Sequence, residues 1–337
     1  MASLLLSCEP GLASFPVTAI DLDNPAVPEN PSTQSVTMTV CSFNIAYANS
    51  SSVYADGSSA AWSVRRDAVK KFVDTTKADI IGLQEIRKSQ SLDFISFFEN
   101  EYGYYDVSRS SKTGEPVFNT TGEGLGILYR KDRFELLTKG FFWLDTDPDS
   151  LPEKNSDGTY GDWNSACRRI VVYTVLKDKL NHDSPVYFFT AHFDHQSRAA
   201  RVNSCQLVID RIKDIAKLTE LKKCDAAVFF VGDLNTAYDS GQLDVLNNNF
   251  YYARLDAPGD DENTGTFNGY GKSNTMIDHI YYGGKAIKPL KYRVDRENYG
   301  VPFISDHYPV LLQVEMGGLE PPSKQSPSGL STRLSFL

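Results

Sequence analysis

Acidic, amide and imidazole side chains stand beside apolar runs at two places in this chain. Asp233 and Asn235 directly follow one apolar run, and Asp306 and His307 directly precede another. Because alternate residues of a strand point to the same face, Asp233 and Asn235 are expected to lie together at one rim of a sheet. Such oxygen ligands suit Mg²⁺ or Mn²⁺ rather than zinc. With an Asp-His pair added, these are the groups needed to split a phosphate ester with a metal ion and an activated water.

The same placement recurs along the chain. Polar residues that stand where an apolar, strand-like run ends or begins are Asn44, Glu85, His192, Asp233, Asn235, Asp278, Asp306 and His307. Any one of them could be an ordinary turn residue, since Asp and Asn are common where strands end. Their number, and a chemistry that fits one reaction, favour a single site.

The bulk composition is that of an acidic globular protein. The 337 residues carry a formal net charge of −9 with a pI near 5.1, and 41% of them are hydrophobic. Tight, sequence-independent binding of duplex DNA depends on Lys and Arg, so we expect no strong duplex DNA binding. The five cysteines are scattered and lack a Cys-x-x-Cys spacing, which speaks against a disulfide framework or a zinc site.

The N-terminal residues lack the features of a targeting segment. No Lys or Arg precedes Arg65, whereas a signal peptide begins with basic residues and a mitochondrial presequence is rich in Arg. No stretch approaches the roughly 18 apolar residues of a membrane span. We therefore expect a soluble monomer without a transmembrane segment. Its compartment stays open, with the cytoplasm favoured over secretion.

Composition also divides the chain into three parts. Residues 1–35 are rich in Pro, Ser, Asn and Asp and predict a loosely structured leader, and residues 317–337 predict a disordered tail. Residues 36–316 contain no internal repeat and no convincing linker. We expect them to form one catalytic domain.

Short runs rich in Val, Ile, Phe and Tyr predict strands within this domain. The runs cover residues 37–43, 79–84, 126–130, 169–176, 186–191, 226–231, 276–281 and 308–314. Helical spacing of apolar residues predicts helices over 62–76 and 198–218. Many strands with few helices suggest two packed sheets with helices outside them. A dinucleotide-binding fold is less favoured, because no G-x-G-x-x-G follows the first strand.

The pattern resembles the endonuclease/exonuclease/phosphatase superfamily, which has the deoxyribonuclease I-like fold. The resemblance covers residues 36–315 and is carried by six segments in the family's order, including SFNI at 42–45, TAHFDH at 190–195 and GTFNG at 265–269. It implies an α/β (α+β) fold, a four-layer α/β/β/α sandwich of two packed mixed β-sheets flanked by helices. The sequences of these motifs are similar to those of a branch grouped near the carbon-catabolite-repressor deadenylases.

The resemblance also implies a metal site. Glu85 would be the main ligand, Asn44 would hold the ion or a phosphate oxygen, and Asp306 would be a second ligand or a water contact. The ion would be Mg²⁺ or Mn²⁺, which would stabilise the charge that grows on the phosphoryl and leaving oxygens.

The catalytic groups implied by the resemblance surround that ion. His307, oriented by Asp278, would bind a phosphoryl oxygen or handle a proton. Asp233 would position or deprotonate the attacking water, with Asn235 holding water or phosphate. His192 would donate a hydrogen bond to a non-bridging phosphate oxygen.

Four further residues are candidates for substrate binding. Arg168 or Arg169 could clamp a phosphate with two N–H groups, although a surface ion pair is the plainer alternative. Asp194 follows His192 by two positions, so alternation places the two side chains on one face. Asn268 lies in a predicted loop near the rim, where a base or a sugar could be contacted.

The residues leave the substrate open. Their chemistry fits hydrolysis of a phosphodiester, including 3′–5′ removal of nucleotides from single-stranded RNA. It fits equally a phosphatase or phosphodiesterase that acts on a small phosphorylated sugar, nucleotide or lipid. A catalytically silent phosphate-binding module is the remaining alternative, and the presence of a usable residue type at every expected catalytic position speaks against it.

Overall fold

The computed structural model describes residues 35–259 and 264–317, which build two six-stranded β-sheets. In chain order the strands are β1 (Val36–Asn44), β2 (Ile80–Ile86), β3 (Tyr102–Ser108), β4 (Gly124–Arg130), β5 (Phe134–Trp143), β6 (Ile170–Asp178), β7 (Ser184–His192), β8 (Ala227–Asp233), β9 (Tyr251–Tyr252), β10 (Asp278–Gly283), β11 (Ile287–Val294) and β12 (Val310–Met316). The predicted leader and tail fall outside the described residues except at their inner ends.

Helices accompany the strands at five places in the described residues. They are α1 (Trp62–Thr76), α2 (Lys88–Phe98), α3 (Arg198–Ala216), α4 (Asp244–Asn249) and α5 (Ala253–Asp256). None of them is both long and apolar enough to cross a membrane.

The strand order brings the predicted site residues to one rim. The first sheet has the order β11-β12-β1-β2-β4-β3, and the second has the order β5-β6-β7-β8-β10-β9. Strands β1 and β2 run parallel, as do β7 and β8, so the carboxyl ends of each pair meet. His192 is paired with Asp233, which in turn faces Asp278 on the antiparallel β10.

The core lies in three apolar layers. Residues of both sheets, such as Val40 and Phe188, form the layer between the sheets. Phe72 and Phe94 of α1 and α2 pack with apolar residues on the outer face of the first sheet. Ile212 of α3 does the same for the second sheet. The predicted α/β/β/α sandwich is therefore confirmed, with each fully buried Phe or Ile contributing about 1.5–3 kcal/mol.

Helix α1 forms where its apolar spacing predicted it. Val69, Phe72 and Val73 follow an i, i+3, i+4 spacing and are all buried, which places one apolar stripe on the sheet. The helix ends at Lys77, whose left-handed conformation lets its N–H bond back to the carbonyl of Val73. Helix α3 begins at Ser197, whose side chain accepts a hydrogen bond from the N–H of Ala200.

Gly82 on β2 allows the two sheets to approach closely behind the rim. A Cβ atom at this position would lie 2.7 Å from Cγ2 of Val231 and 2.8 Å from Oγ1 of Thr190, both in the second sheet. Two residues further along β2, the side-chain amide of Gln84 donates to that same Thr190 hydroxyl at 2.8 Å. This close contact fixes the distance between the strands that carry the candidate site.

Candidate active site

Asn44 lies at the centre of the candidate site, where it joins the two sheets. Its side-chain Nδ2 donates to Oε1 of Glu85 at 3.1 Å and to Oδ2 of Asp233 at 3.1 Å. Its Oδ1 accepts the backbone N–H of Ala46 at 3.0 Å, and this donor fixes which way the amide faces. Asn44 therefore turns its NH₂ group to the two carboxylates, so that in this geometry it orients possible metal ligands rather than offering its own oxygen.

Glu85 has an uncommon backbone conformation. Its φ of 63° lies in the left-handed region, which non-glycine residues rarely adopt and which costs roughly 1–3 kcal/mol. Both carboxylate oxygens are held, one by Asn44 and the other by the backbone N–H of Tyr47 at 3.1 Å. Such strain persists only where surrounding contacts enforce it, and here it directs Glu85 towards Asp233.

Asp233 lies between two histidines. Its Oδ2 is 3.5 Å from Nε2 of His192 and 3.7 Å from Nε2 of His307, and its Oδ1 accepts the N–H of Asn235 at 2.9 Å. Burial, together with the nearby carboxylate of Asp278, raises the pKa of Asp233 to about 7. A carboxyl group in this range can take up and release a proton near neutral pH.

The two histidines have opposite charge preferences. Burial, and then the positive charges of Arg169 and Arg109, hold the pKa of His192 well below its usual value. Burial also disfavours protonation of His307, but Asp278 and Asp233 outweigh it and hold the pKa of His307 well above its usual value. His192 is therefore neutral and His307 is charged at neutral pH.

Asp278 and His307 form a buried pair. Oδ2 of Asp278 lies 2.8 Å from Nδ1 of His307, which leaves Nε2 of the imidazole directed at Asp233. The aromatic ring of Phe267 packs against the imidazole with a centroid distance of 4.9 Å. The carboxylate and the ring together fix the orientation and the tautomer of His307.

Asn235 and Asp306 also lie near the strand ends, and the hydrogen bonds given for their side chains in the described residues are to other groups than Glu85 and Asp233. Nδ2 of Asn235 donates to the carbonyl of Phe193 at 3.0 Å. Oδ1 of Asp306 lies 3.3 Å from the hydroxyl of Ser305. Among the described residues, Asp306 belongs to none of the groups of His, Cys, Asp and Glu whose ligand atoms come within 4.8 Å of one another.

The structure separates the two adjacent arginines. Arg168 donates through Nε to the carbonyl of Pro152 at 2.7 Å and lies over the ring of Tyr160. Arg169 is buried beside His192 and lines a narrow cleft that also contacts Glu85. Of the pair, Arg169 is the one placed at the rim.

Asp194 and Asn268 organise loops next to the site. Asp194 accepts backbone N–H groups from Ala166, Gln196 and Ser197 at 2.7–3.0 Å, which ties the start of β6 to the start of α3. Asn268 is buried, with its Nδ2 donating to the carbonyl of Ser305 and its Oδ1 accepting the N–H of Tyr270. Its polar atoms are occupied by the backbone.

Arg65, which has no carboxylate partner among the described residues, supports the site through backbone contacts, and no local sequence pattern indicates this role. Its guanidinium is buried and donates to four carbonyls at 2.7–3.0 Å, those of Ala60, Ile45, Ala46 and Ile304. Ile45 directly follows Asn44, and Ile304 lies three residues before His307. Arg65 therefore fixes the two chain segments that carry these side chains.

The donor set around Asp233 fits a divalent cation. Ligand atoms of Glu85, His192 and Asp233 all lie within 4.8 Å of one another, as do those of Asp233, Asp278 and His307. Mg²⁺, with ligands at roughly 2.0–2.1 Å, can join two atoms up to about 4.2 Å apart, so small side-chain movements within these groups would bring the ligands into range. Two carboxylates in the first group favour a hard cation.

Residues 41–307 match the model of the Endonuclease/Exonuclease/phosphatase family. The chain belongs to this family. The match begins in β1 and ends at His307, so it spans the strands that carry the candidate site.

Relatives of this endonuclease/exonuclease/phosphatase protein occur in a virus and in bacteria. The uncharacterized protein R895 of Acanthamoeba polyphaga mimivirus is 30% identical over 199 residues, which are 53% of this chain and 28% of that protein. This chain thus aligns with little more than a quarter of that relative.

Two solved bacterial structures match along nearly their whole length. The endonuclease/exonuclease/phosphatase from Bacteroides vulgatus is 27% identical with a TM-score of 0.70, covering 83% of this chain and 99% of that one. The mannosyl-6-phosphatase of Bacteroides thetaiotaomicron is 27% identical with a TM-score of 0.69, covering 82% and 99%.

Proposed function

We propose that this protein is a phosphoesterase that depends on Mg²⁺ or Mn²⁺ and uses an activated water in line with the leaving oxygen. The observation that carries this proposal is the Asp278–His307 pair directed at Asp233, which Asn44 joins to Glu85. The pKa of Asp233 lies in the range of an effective general base, and His307 is a charged imidazole. The carboxylates of Glu85 and Asp233 create a negative environment that suits a cation.

Each group has a proposed role. Glu85 would hold the divalent ion, with Asp306 as a further contact. The bound ion would neutralise negative charge on the phosphoryl oxygens. Asp233 positions the water and accepts its proton, since its raised pKa matches general base catalysis near neutral pH.

The neighbouring side chains act on the phosphate. The charged His307 donates from Nε2 to a phosphoryl oxygen, and Asp278 keeps it protonated and oriented. The neutral His192 donates one N–H to a non-bridging oxygen. Asn235 holds the loop after β8 that presents Asp233.

A small phosphorylated sugar or a related monoester is the proposed substrate. The mannosyl-6-phosphatase of Bacteroides thetaiotaomicron supports it, since 27% identity extends over 99% of that chain. The net charge of −9 also disfavours a long polyanionic substrate. Single-stranded RNA is supported by the resemblance to the deadenylase branch alone, and it forms the contrasting arm of the test.

The test measures hydrolysis with and without added Mg²⁺ or Mn²⁺, using EDTA as the metal-free control. Substrates are p-nitrophenyl phosphate, bis-p-nitrophenyl phosphate, hexose 6-phosphates and oligo(A) RNA. We expect release of inorganic phosphate from the monoesters and its loss in EDTA. A ladder of mononucleotides from oligo(A) would redirect the proposal to an exonuclease, and absence of turnover with every substrate and cation would favour a silent module.

Three variants test the assigned groups. Glu85→Ala, Asp233→Ala and His307→Ala should each lower the rate at least about 10²-fold, the usual scale for a lost catalytic group. Circular dichroism and thermal melting confirm that each variant is folded. Arg66→Gln, at a partly exposed residue with ion pairs to Asp67 and Asp93, is the matched control and should retain the wild-type rate. Full activity in all three site variants would contradict the proposal.

A further inference from the structure

A narrow cleft opens beside Glu85 and His192, between the starts of β4 and β6. Its charged lining consists of Arg109, Glu123 and Arg169 beside the two site residues. Guanidinium groups such as those of Arg109 and Arg169 bind the oxygens of a phosphoryl group.

The guanidinium of Arg169 is only partly satisfied. The residue is 4% exposed, and its Nη2 lies 3.0 Å from Nδ1 of His195. Its Nε and Nη1 are buried, and neither has a hydrogen-bond partner among the described residues. Leaving such charged donors unpaired costs about 1–3 kcal/mol or more for each group, so the arrangement calls for a ligand.

The nearby carboxylate does not supply that partner. Oδ2 of Asp194 is 3.7 Å from Nε of Arg169, beyond hydrogen-bond distance. Both oxygens of Asp194 already accept backbone N–H groups, including those of Ala166 and Ser197. Asp194 offsets part of the charge of Arg169 and leaves its donors free for an oxyanion.

The other charges on the cleft reinforce this preference. Glu123 is shared by Arg87 at 3.1 Å and Arg109 at 2.9 Å, so one carboxylate faces two guanidinium groups. Arg169 adds a third positive charge. The field is felt at His192, whose pKa is held well below its usual value by burial and then by Arg169 and Arg109. The cleft thus places the guanidinium groups of Arg109 and Arg169 beside the carboxylates of Glu85 and Glu123.

We propose that Arg169, with Arg109 behind it, forms an oxyanion subsite that binds the terminal oxygens of a phosphate monoester. A guanidinium matches two such oxygens with parallel N–H groups. His192 and His307 are also assigned to terminal oxygens, so a monoester with three of them leaves more for Arg169 than a diester with two. The subsite therefore favours monoesters. The link between this subsite and catalysis rests on the proposed function. Binding of the anion by Arg169 does not depend on that function.

The first experiment measures binding without turnover. Inorganic phosphate is titrated into the full chain by calorimetry, in EDTA and again with Mg²⁺. Arg169→Gln should weaken phosphate binding at least tenfold, and Arg169→Lys should recover part of the loss, because a lysine keeps the charge without the two-pronged geometry. Arg66→Gln, which replaces a partly exposed arginine that does not line the cleft, should bind phosphate within twofold of the wild type. A wild-type protein that fails to bind phosphate under both conditions would overturn the subsite.

The second experiment measures selectivity. The ratio of kcat/KM for p-nitrophenyl phosphate to that for bis-p-nitrophenyl phosphate should fall at least tenfold in Arg169→Gln. An equal loss on both esters, or none, would overturn the monoester assignment. Arg109→Gln provides a second variant with the same expected direction if Arg169→Gln does not fold. If Arg169→Gln lost activity only on a sugar bisphosphate, the subsite would bind the second phosphate of that substrate. This result would also overturn the proposal that Arg169 binds the phosphate that is hydrolysed.

The two proposals fail in different ways. An inactive wild type whose phosphate binding depends on Arg169 would retain the subsite and remove the phosphoesterase. An active wild type that is matched by Arg169→Gln in binding and selectivity would retain the phosphoesterase and remove the subsite.

Discussion

Asn44 and Asp233 come from different sheets, and the 3.1 Å hydrogen bond between Nδ2 and Oδ2 joins them at the rim. The same amide group also donates to Glu85. Two carboxylates that would repel one another are thereby held to a common neutral donor. A cation bound at Glu85 would act in the same direction, since it neutralises the charge that the amide only bridges.

Replacing Asn44 with Asp should make the fold more dependent on a divalent cation. The substitution puts a third carboxylate beside Glu85 and Asp233, so we expect the melting temperature in EDTA to fall by several degrees, following a loss of about 1–3 kcal/mol. Added Mg²⁺ should raise the melting temperature more in this variant than in the wild type. Asn44→Ala removes the hydrogen bonds without adding charge and is the matched control. An equal response of the two variants to Mg²⁺ would argue against a cation at Glu85 and Asp233.

The strands predicted from sequence are those that lie inside the sheets. Predicted runs correspond to β1, β2, β4, β6, β7, β8, β10 and β12, which occupy the interior positions of the two sheets. The strands without a prediction, β3, β5, β9 and β11, are the four edges. Interior strands are covered on both sides and read as near-continuous apolar runs. Edge strands carry the residues that prevent further pairing.

The composition of two edge strands illustrates the difference. Strand β11 contains Pro289 and two lysines, and a register shift occurs between Pro289 and Lys291. Proline is confined to edges and bulges because it cannot donate to the ladder. Strand β5 has a register shift between Leu136 and Thr138, which interrupts its alternation. Local patterns of this kind do not identify a strand until its neighbour is known.

Replacing Asp278 with Asn should move the alkaline limb of the activity profile to lower pH. The amide can still accept a hydrogen bond from Nδ1 of His307 but no longer stabilises its charge. In the wild type, burial lowers the pKa of His307, but the nearby carboxylates raise it by more. His307 therefore stays protonated at a higher pH than an ordinary histidine. Without that carboxylate, protonated His307 is lost at lower pH, and kcat should fall about 10²-fold or more at neutral pH. The measurement is kcat/KM from pH 5 to 10, and an unshifted limb would contradict the assigned role of His307.

His279 should make the fold less stable as the pH falls below neutrality. It is buried, with Nε2 2.8 Å from the carbonyl of Thr236 and Nδ1 2.9 Å from the hydroxyl of Tyr252, which suits the neutral ring. Burial lowers its pKa from 6.5 to about 4, so between these values the unfolded chain binds a proton that the folded chain does not. Its stabilising contribution is complete above pH 6.5 and is lost as the pH falls through this window, by up to about 3 kcal/mol.

Urea denaturation at pH 7.5 and pH 5.0 checks this contribution. The free energy of unfolding should fall between the two values in the wild type and fall less in His279→Gln, because glutamine cannot take up the proton. Carboxylates titrate in both proteins and cancel in the comparison. Equal pH dependence of the two proteins would rule out His279 as the source.

The catalytic and metal-binding residues that were predicted from sequence stand at the ends of apolar runs, and Arg65 and Arg109, which stand elsewhere, were not predicted. Glu85, His192 and Asp233 end apolar runs, so their common rim follows from strand geometry. Arg65 lies within a helix, where a buried arginine has the same local spacing as an exposed one. Arg109 directly follows β3, an edge strand with no prediction. Their roles depend on contacts between distant segments, which no local pattern records.

Arg65 should position the reacting groups, and Arg65→Lys should separate this effect from general stability. Lysine keeps the positive charge but offers three donors on a single atom, so it cannot reach four carbonyls, and at least about 2 kcal/mol of stability should be lost. The segments that carry Asn44 and His307 would then lose their anchor, and kcat should fall about tenfold or more with little change in KM, since small misplacements of reacting groups are costly. Arg66→Lys, on the exposed side of the same helix, is the matched control and should change neither quantity. Thermal melting and steady-state kinetics measure both effects, and a variant of reduced stability with unchanged kcat would show that Arg65 serves the fold alone.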